Sequence, residues 1–130
     1  MIVVDASAVL EALLRTPAAA AVERRLFDSR QTLHAPHLLD IEVAQVVRRY
    51  EAAGEIDDER GRAALSDLGD LPLHRYPHGF LLPRVWQLRR NLTAYDAVYV
   101  ALAEALDATL LTRDRRLAAA ADGYVGIDLV

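Results

Sequence analysis

Residues 1–10, MIVVDASAVL, place four apolar side chains ahead of Asp5 and a helix-compatible stretch behind it. A short, β-branched apolar run bounded in this way predicts a buried strand that delivers directly into a helix. Asp5 then stands at the carboxyl end of the strand. An aspartate there is a favoured N-cap for a helix starting near Ser7, and it is equally a carboxylate held at a sheet edge.

Working outward, further strand-like runs occur at Ile2 to Val4, Thr32 to Ala35, Leu71 to Arg75, Thr109 to Thr112 and Tyr124 to Val130. Helical character separates them at Ala8 to Leu14, Ala18 to Phe27, Leu38 to Ala53, Asp57 to Leu68, Phe80 to Arg90 and Ala94 to Leu106, with a short RRLAAAA helix after Asp114. Strands alternating with helices predict parallel pairing with helices on both faces, hence an α/β fold. Pro17 and Pro36 suit helix entries, and Gly54 falls where a helix C-cap is expected. The Pro- and Gly-rich stretch Leu68 to Gly79 is the hardest to assign.

The chain has 130 residues, 53% of them hydrophobic, which fits one domain spanning residues 1–130 with a single core. It contains no cysteine, so disulfides and zinc–thiolate sites are excluded and a reducing compartment is expected. Asp5 and Glu11 interrupt the N-terminal apolar run, and no basic region precedes it, which argues against a signal peptide. No stretch reaches the roughly 20 apolar residues of a membrane span, so a cytoplasmic protein without membrane contact is expected. Net charge is −4, against nonspecific coating of nucleic acid, and all 15 basic residues are arginine. Without lysine, a Walker-type phosphate loop and Schiff-base chemistry are both excluded. Arginine still offers bidentate phosphate contacts.

Four carboxylates converge on one edge in this arrangement. Asp5 ends the first strand and Asp114 follows the TLLT strand, so a parallel sheet brings both to the edge where open α/β sheets bind ligands. Glu42 lies on the apolar face of its helix with Leu38, Leu39 and Val46, too far in to cap it. Asp96 opens AYDAVYVALAEAL on the face of Tyr99, Val100 and Ala103. Each has an ordinary alternative except Glu42: Asp5 and Asp114 can cap helices, and Asp96 follows Thr93 with capping-box spacing. Gathered together, however, like charges repel and need a cation, and oxygen donors suit Mg²⁺ or Mn²⁺. Asp5, Glu42, Asp96 and Asp114 are therefore the candidate metal ligands and catalytic residues.

Other candidates carry less. Asp40 points to a different face from Glu42 and suits the helix dipole. His34 and His37 lack a third ligand nearby in sequence. His74 and His78 have helical zinc spacing, but Pro77 between them argues against the helix. Ser7 lacks the glycine elbow of a hydrolase nucleophile and suits support of Asp5 or a helix cap. Arg113, Arg115 and Arg116 flank Asp114, and Arg89 and Arg90 precede Asp96; they form either a guanidinium rim for a phosphate backbone or solvated helix charges.

MIVVDASAVLEALL, PHLLDIEVAQVVRR and LTAYDAVYVALAEALDATLLTRDRRLAAA, in that order, resemble PIN-domain proteins, in particular the VapC-type toxins of bacterial type II toxin–antitoxin pairs. The resemblance weakens between about Gly54 and Phe80. It implies a three-layer α/β/α domain with a parallel sheet and a Mg²⁺- or Mn²⁺-dependent endoribonuclease. The family's acidic quartet falls on Asp5, Glu42, Asp96 and Asp114, and Ser7 matches a hydroxyl position beside the first aspartate. The resemblance also implies an RNA substrate, for which Arg113, Arg115 and Ser7 are the candidate contacts in this sequence, as well as a homodimer and a cognate VapB-type antitoxin whose tail blocks the acidic pocket. A reading from another class is a noncatalytic protein-binding α/β module that keeps a metal for stability. A phosphoacceptor receiver domain would need the lysine this chain lacks.

Overall fold

Ile2, Val3 and Val4 are all buried, as a strand covered on both faces requires. In the computed structural model, which describes all 130 residues, they form β1 (Ile2–Val4) at the centre of a five-stranded sheet. The other strands are β2 (Leu33–Pro36), β3 (Leu73–Tyr76), β4 (Thr109–Thr112) and β5 (Ile127–Leu129). Their order is β3-β2-β1-β4-β5, and every pairing is parallel.

The connecting helices are α1 (Ala6–Leu13), α2 (Ala19–Leu26), α3 (Leu38–Ala52), α4 (Asp58–Asp70), α5 (Leu82–Gln87), α6 (Ala94–Leu106) and α7 (Arg115–Ala121). α1 to α4 pack with one another, while α5 packs on α6 and α6 lies along β1, β2 and β4. Right-handed crossovers that run one way to β2 and β3, and the other way to β4 and β5, put these two helix groups on opposite faces. The result is a three-layer α/β/α architecture. The two directions part between β1 and β4, which makes the carboxyl end of β1 the switch point where such sheets form a crevice.

Register fixes what stands at that crevice. Val4 is level with Leu111, and the Asp5 amide donates to the Leu111 carbonyl at 3.2 Å, so Asp5 emerges beside Thr112. α3 starts just past the end of β2, and α6 starts at the same edge because it must run back down to feed β4. α6 is buried almost all round, from Ala97 through Ala103, which makes it the central helix of its layer.

Element boundaries differ from the sequence pattern where local chemistry intervenes. α1 begins at Ala6, two residues early, because the Asp5 carboxylate takes the Ala8 amide and caps it. The helix expected over Phe80 to Arg90 is a 3₁₀ turn, Gly79–Leu81, followed by the shorter α5 with Pro83 in its first turn. β3 starts at Leu73 and β5 is confined to Ile127–Leu129. Gly54 does follow α3, at φ 75°, where only glycine rests without strain.

Two contacts tie α3 to the loop-rich stretch after α4. Arg75 of β3 clasps Asp40 through Nε at 2.8 Å and Nη2 at 3.1 Å, so Asp40 serves as an interelement ion pair besides standing in the helix's first turn. The Leu38 amide donates to His78 Nε2 at 2.9 Å, which satisfies one of the open amides at the start of α3. His34, 6% exposed, is held by Thr32 Oγ1 and Tyr76 OH, each at 2.7 Å, and stacks on His74 at 4.9 Å between ring centres.

Two stability measurements check this architecture. Leu102 is fully buried in α6, so Leu102→Ala should lower unfolding free energy by about 2–5 kcal/mol in a denaturant titration. Burial, reinforced by the charge of His74, pushes the His34 pKa below its usual value. The unfolded chain therefore binds the proton first, and stability should fall as pH drops below about 6.5. Replacing His34 by Gln should flatten that part of a melting-temperature profile.

Candidate active site

Asp5, Glu42, Asp96 and Asp114 line one open cleft of about 520 Å³ at the carboxyl ends of β1 and β4. Different elements carry each: the end of β1, the second turn of α3, the first turn of α6 and the N-cap of α7. Ser7, Leu10, Leu38, Ile41, Arg49 and Tyr95 complete much of the wall.

Asp5 is the deepest of the four, 5% exposed. Its Oδ1 accepts from Ser7 Oγ at 2.7 Å and the Ala8 amide at 3.1 Å, and its Oδ2 accepts from Thr112 Oγ1 at 2.7 Å. Burial raises its pKa; these three donors oppose that shift, and the charge of Asp114 adds to it. Glu42 Oε1 accepts from the buried Tyr99 hydroxyl at 2.5 Å. Its pKa is also raised, chiefly by burial, which outweighs the opposing Tyr99 hydrogen bond, with smaller contributions from the charges of Asp5 and Asp96. The tyrosine, in turn, is pushed well up by burial and by Glu42, so it stays a donor.

Asp114 spends Oδ1 on the amides of Arg116 and Leu117, at 2.9 and 3.1 Å, as the cap of α7. Asp96 follows the N-cap Thr93, whose hydroxyl takes the Asp96 amide at 3.2 Å. The capping alternatives are thus realised for Asp5 and Asp114, and they cost each carboxylate only part of its lone pairs. Glu42 Oε2 and Asp114 Oδ2 accept no hydrogen bond from the chain, and the buried Asp96 Oδ2 has none either.

Arg116 reaches into this cluster. Its Nη2 is 2.9 Å from Asp96 Oδ2 and 3.5 Å from Asp114 Oδ2. At Asp96 the contact is an ion pair in which no N–H is aimed at the oxygen, despite the short distance. Arg113 faces elsewhere: its guanidinium takes the Val130 carbonyl at 2.8 Å and Glu11 at 3.6 Å, while its amide donates to Ser7 Oγ at 2.9 Å. Arg115 is exposed and outside the cleft wall. Ser7, whose hydroxyl donates its hydrogen bond to Asp5, acts on that carboxylate.

An all-oxygen donor set, two of whose carboxylates are raised in pKa chiefly by burial, suits a hard dication such as Mg²⁺ or Mn²⁺. As the side chains stand, no three of these acids are close enough to ligate one ion directly, and Arg116 fills the space between two of them. Tyr99, Thr112 and Arg49 were not singled out from sequence. Their signals were present: Tyr99 lies three residues after Asp96 and Arg49 seven after Glu42, both helical same-face spacings, and Thr112 alternates with Asp114 at the end of β4.

Glu42→Gln keeps the acceptor for Tyr99 and removes a charge that the fold disfavours. The variant should melt a few degrees higher than the parent at neutral pH without dications, as read by differential scanning calorimetry. The sign follows from linkage: a carboxylate with a raised folded pKa loses stability as pH rises through that pKa.

Comparison with known proteins gives the family of the chain. The PIN domain family matches residues 2–123. Ribonuclease VapC1 of Mycobacterium tuberculosis is 53% identical over 119 residues, covering 91% of this chain and 89% of that protein. Ribonuclease VapC12 of the same organism is 42% identical over 130 residues, covering 100% and 99%. Among solved structures, VapBC2 from Rickettsia felis bound to a DNA fragment from their promoter superposes with a TM-score of 0.73 at 15% identity, covering 99% of this chain and 98% of that one. No helix is long and apolar enough to cross a membrane. With the acidic crevice at its switch point and these relatives over nearly its whole length, the chain belongs to the PIN-domain family, in its VapC branch.

Proposed function

We propose that this protein is a dication-dependent endoribonuclease and the toxin of a toxin–antitoxin pair. The observation that carries the reading is the convergence of Asp5, Glu42, Asp96 and Asp114, from four elements, on one cleft. Two relatives, 53% identical over 119 residues and 42% identical over 130, bear the name ribonuclease.

The chemistry follows from what each residue can do. Asp5, Glu42, Asp96 and Asp114 would hold Mg²⁺ or Mn²⁺, which when bound supplies hydroxide near neutral pH and offsets charge developing on a phosphodiester. Ser7 and Thr112 fix both oxygens of Asp5, so its ligating direction is set before any ion arrives. Tyr99 fixes Glu42 from the side, leaving Oε2 toward solvent chemistry as ligand or proton acceptor for an attacking water. Without a cation the cluster repels phosphate, so the acids alone cannot bind this substrate. Arg49 on the wall, with Arg115 beyond it, supplies guanidinium groups for the RNA backbone; Arg113 contributes by holding Ser7 through its amide.

RNA as substrate implies work in the cytoplasm. An antitoxin partner is part of the proposal, supported by the VapBC assembly of the Rickettsia neighbour. So is a homodimer, supported by the exposed Phe80, Leu82 and Trp86 around α5.

The test is incubation of purified protein with structured RNA and Mg²⁺ or Mn²⁺, with and without EDTA, beside Asp5→Asn and Asp96→Asn. Cleavage should vanish on chelation and fall at least about a hundredfold in both variants, the scale of a lost electrostatic stabiliser. RNA left intact by the parent under every condition, together with a metal-induced rise in melting temperature, would instead identify a metal-stabilised binding module.

A further inference from the structure

Four carboxylates in one cleft call for positive charge in the ion-free protein as well as in the active one. The structure meets that need with one side chain. Arg116 stands in the second position of α7, two residues past Asp114, and its guanidinium lies against the second oxygens of Asp96 and Asp114. It is held only at its tip: the side chain is 68% exposed while its Asp96 partner is 15% exposed. The contact at Asp96 lacks hydrogen-bond alignment, so the oxygen is compensated in charge but not in bonding.

The remaining arginines do not share the task. Arg113 is committed to the Val130 carbonyl and Glu11, and Arg75 to Asp40. Arg49 lines the cleft wall but pairs with no acid.

We propose that Arg116 is an internal counter-cation that a bound dication must displace, so that the affinity of the cleft for its ion is set by competition with this guanidinium. This rests on the dication reading above. A dication suits the site better than arginine does, because it carries twice the charge and imposes no N–H direction on Asp96 Oδ2. A guanidinium tethered only at its tip leaves at small cost, as partly exposed ion pairs do. Displacement also frees the second oxygens of Asp96 and Asp114, which Arg116 now contacts, for the ion. The arginine thereby keeps the acids from repelling each other when no ion is present, and taxes ion binding in return.

Mn²⁺ binding measured by isothermal titration calorimetry on the parent, Arg116→Gln and Arg116→Lys decides the matter, with melting temperatures recorded without metal. The expected result is binding about three- to tenfold tighter in Arg116→Gln, with Arg116→Lys nearer the parent. Ion-free Arg116→Gln should also melt below the parent, and Mn²⁺ should raise its melting temperature by more. Equal Mn²⁺ affinity in parent and Arg116→Gln, or weaker binding in the variant, overturns the counter-cation role and leaves the dication reading standing. Binding by none of the three overturns both.

Discussion

The site is organised by one buried charge. Asp5 sits 5% exposed at the end of the central strand, where its carboxylate is desolvated and its pKa raised, and Ser7, Thr112 and the Ala8 amide are the donors that make it tolerable there. Removing a carboxylate from water without such partners costs several kcal/mol. Because those donors come from α1 and β4, the same bonds that keep Asp5 in place also lock the first helix and the neighbouring strand to the crevice. Fold and site share their fastenings.

That sharing recurs around the cleft. Asp114 is at once the cap of α7 and a member of the acidic wall, using one oxygen for each duty. Thr93 caps α6 and so sets the turn on which Asp96 rides. Tyr99 fills the core of the central helix with its ring and presents its hydroxyl to Glu42. A small domain can thus hold four like charges together because most of them do structural work that offsets part of their repulsion. Arg116 covers the remainder from outside.

Much of this was legible in the sequence, for identifiable reasons. Parallel α/β topology follows from alternating short apolar strands and longer helices, and topology alone sends the ends of β1 and β4 to one edge. Asp5 and Asp114 were therefore placeable without coordinates. Glu42 was betrayed by its position on an apolar helix face. What stayed hidden was direction. Nothing in the run RDRR says that the guanidinium of Arg116 turns inward while that of Arg113 turns toward the C-terminus, because both depend on where α7 leaves β4. The partners of α3 were hidden too, since Arg75 and His78 meet Asp40 and Leu38 across more than 30 positions of chain. Helix α5 was overextended because Pro83 and the 3₁₀ turn before it confine regular structure to Leu82–Gln87.

The attachment of α3 by Arg75 and His78 bears on how this scaffold can diversify. Beyond α4, which packs along α3, the side chains that fasten the start of the helix bearing Glu42 are Arg75 on Asp40 and His78 on the Leu38 amide. Exposed residues there that make neither contact can change without loosening the start of α3. The helix of Glu42 is thus pinned at its start, and the surface beside it can be altered without moving that carboxylate.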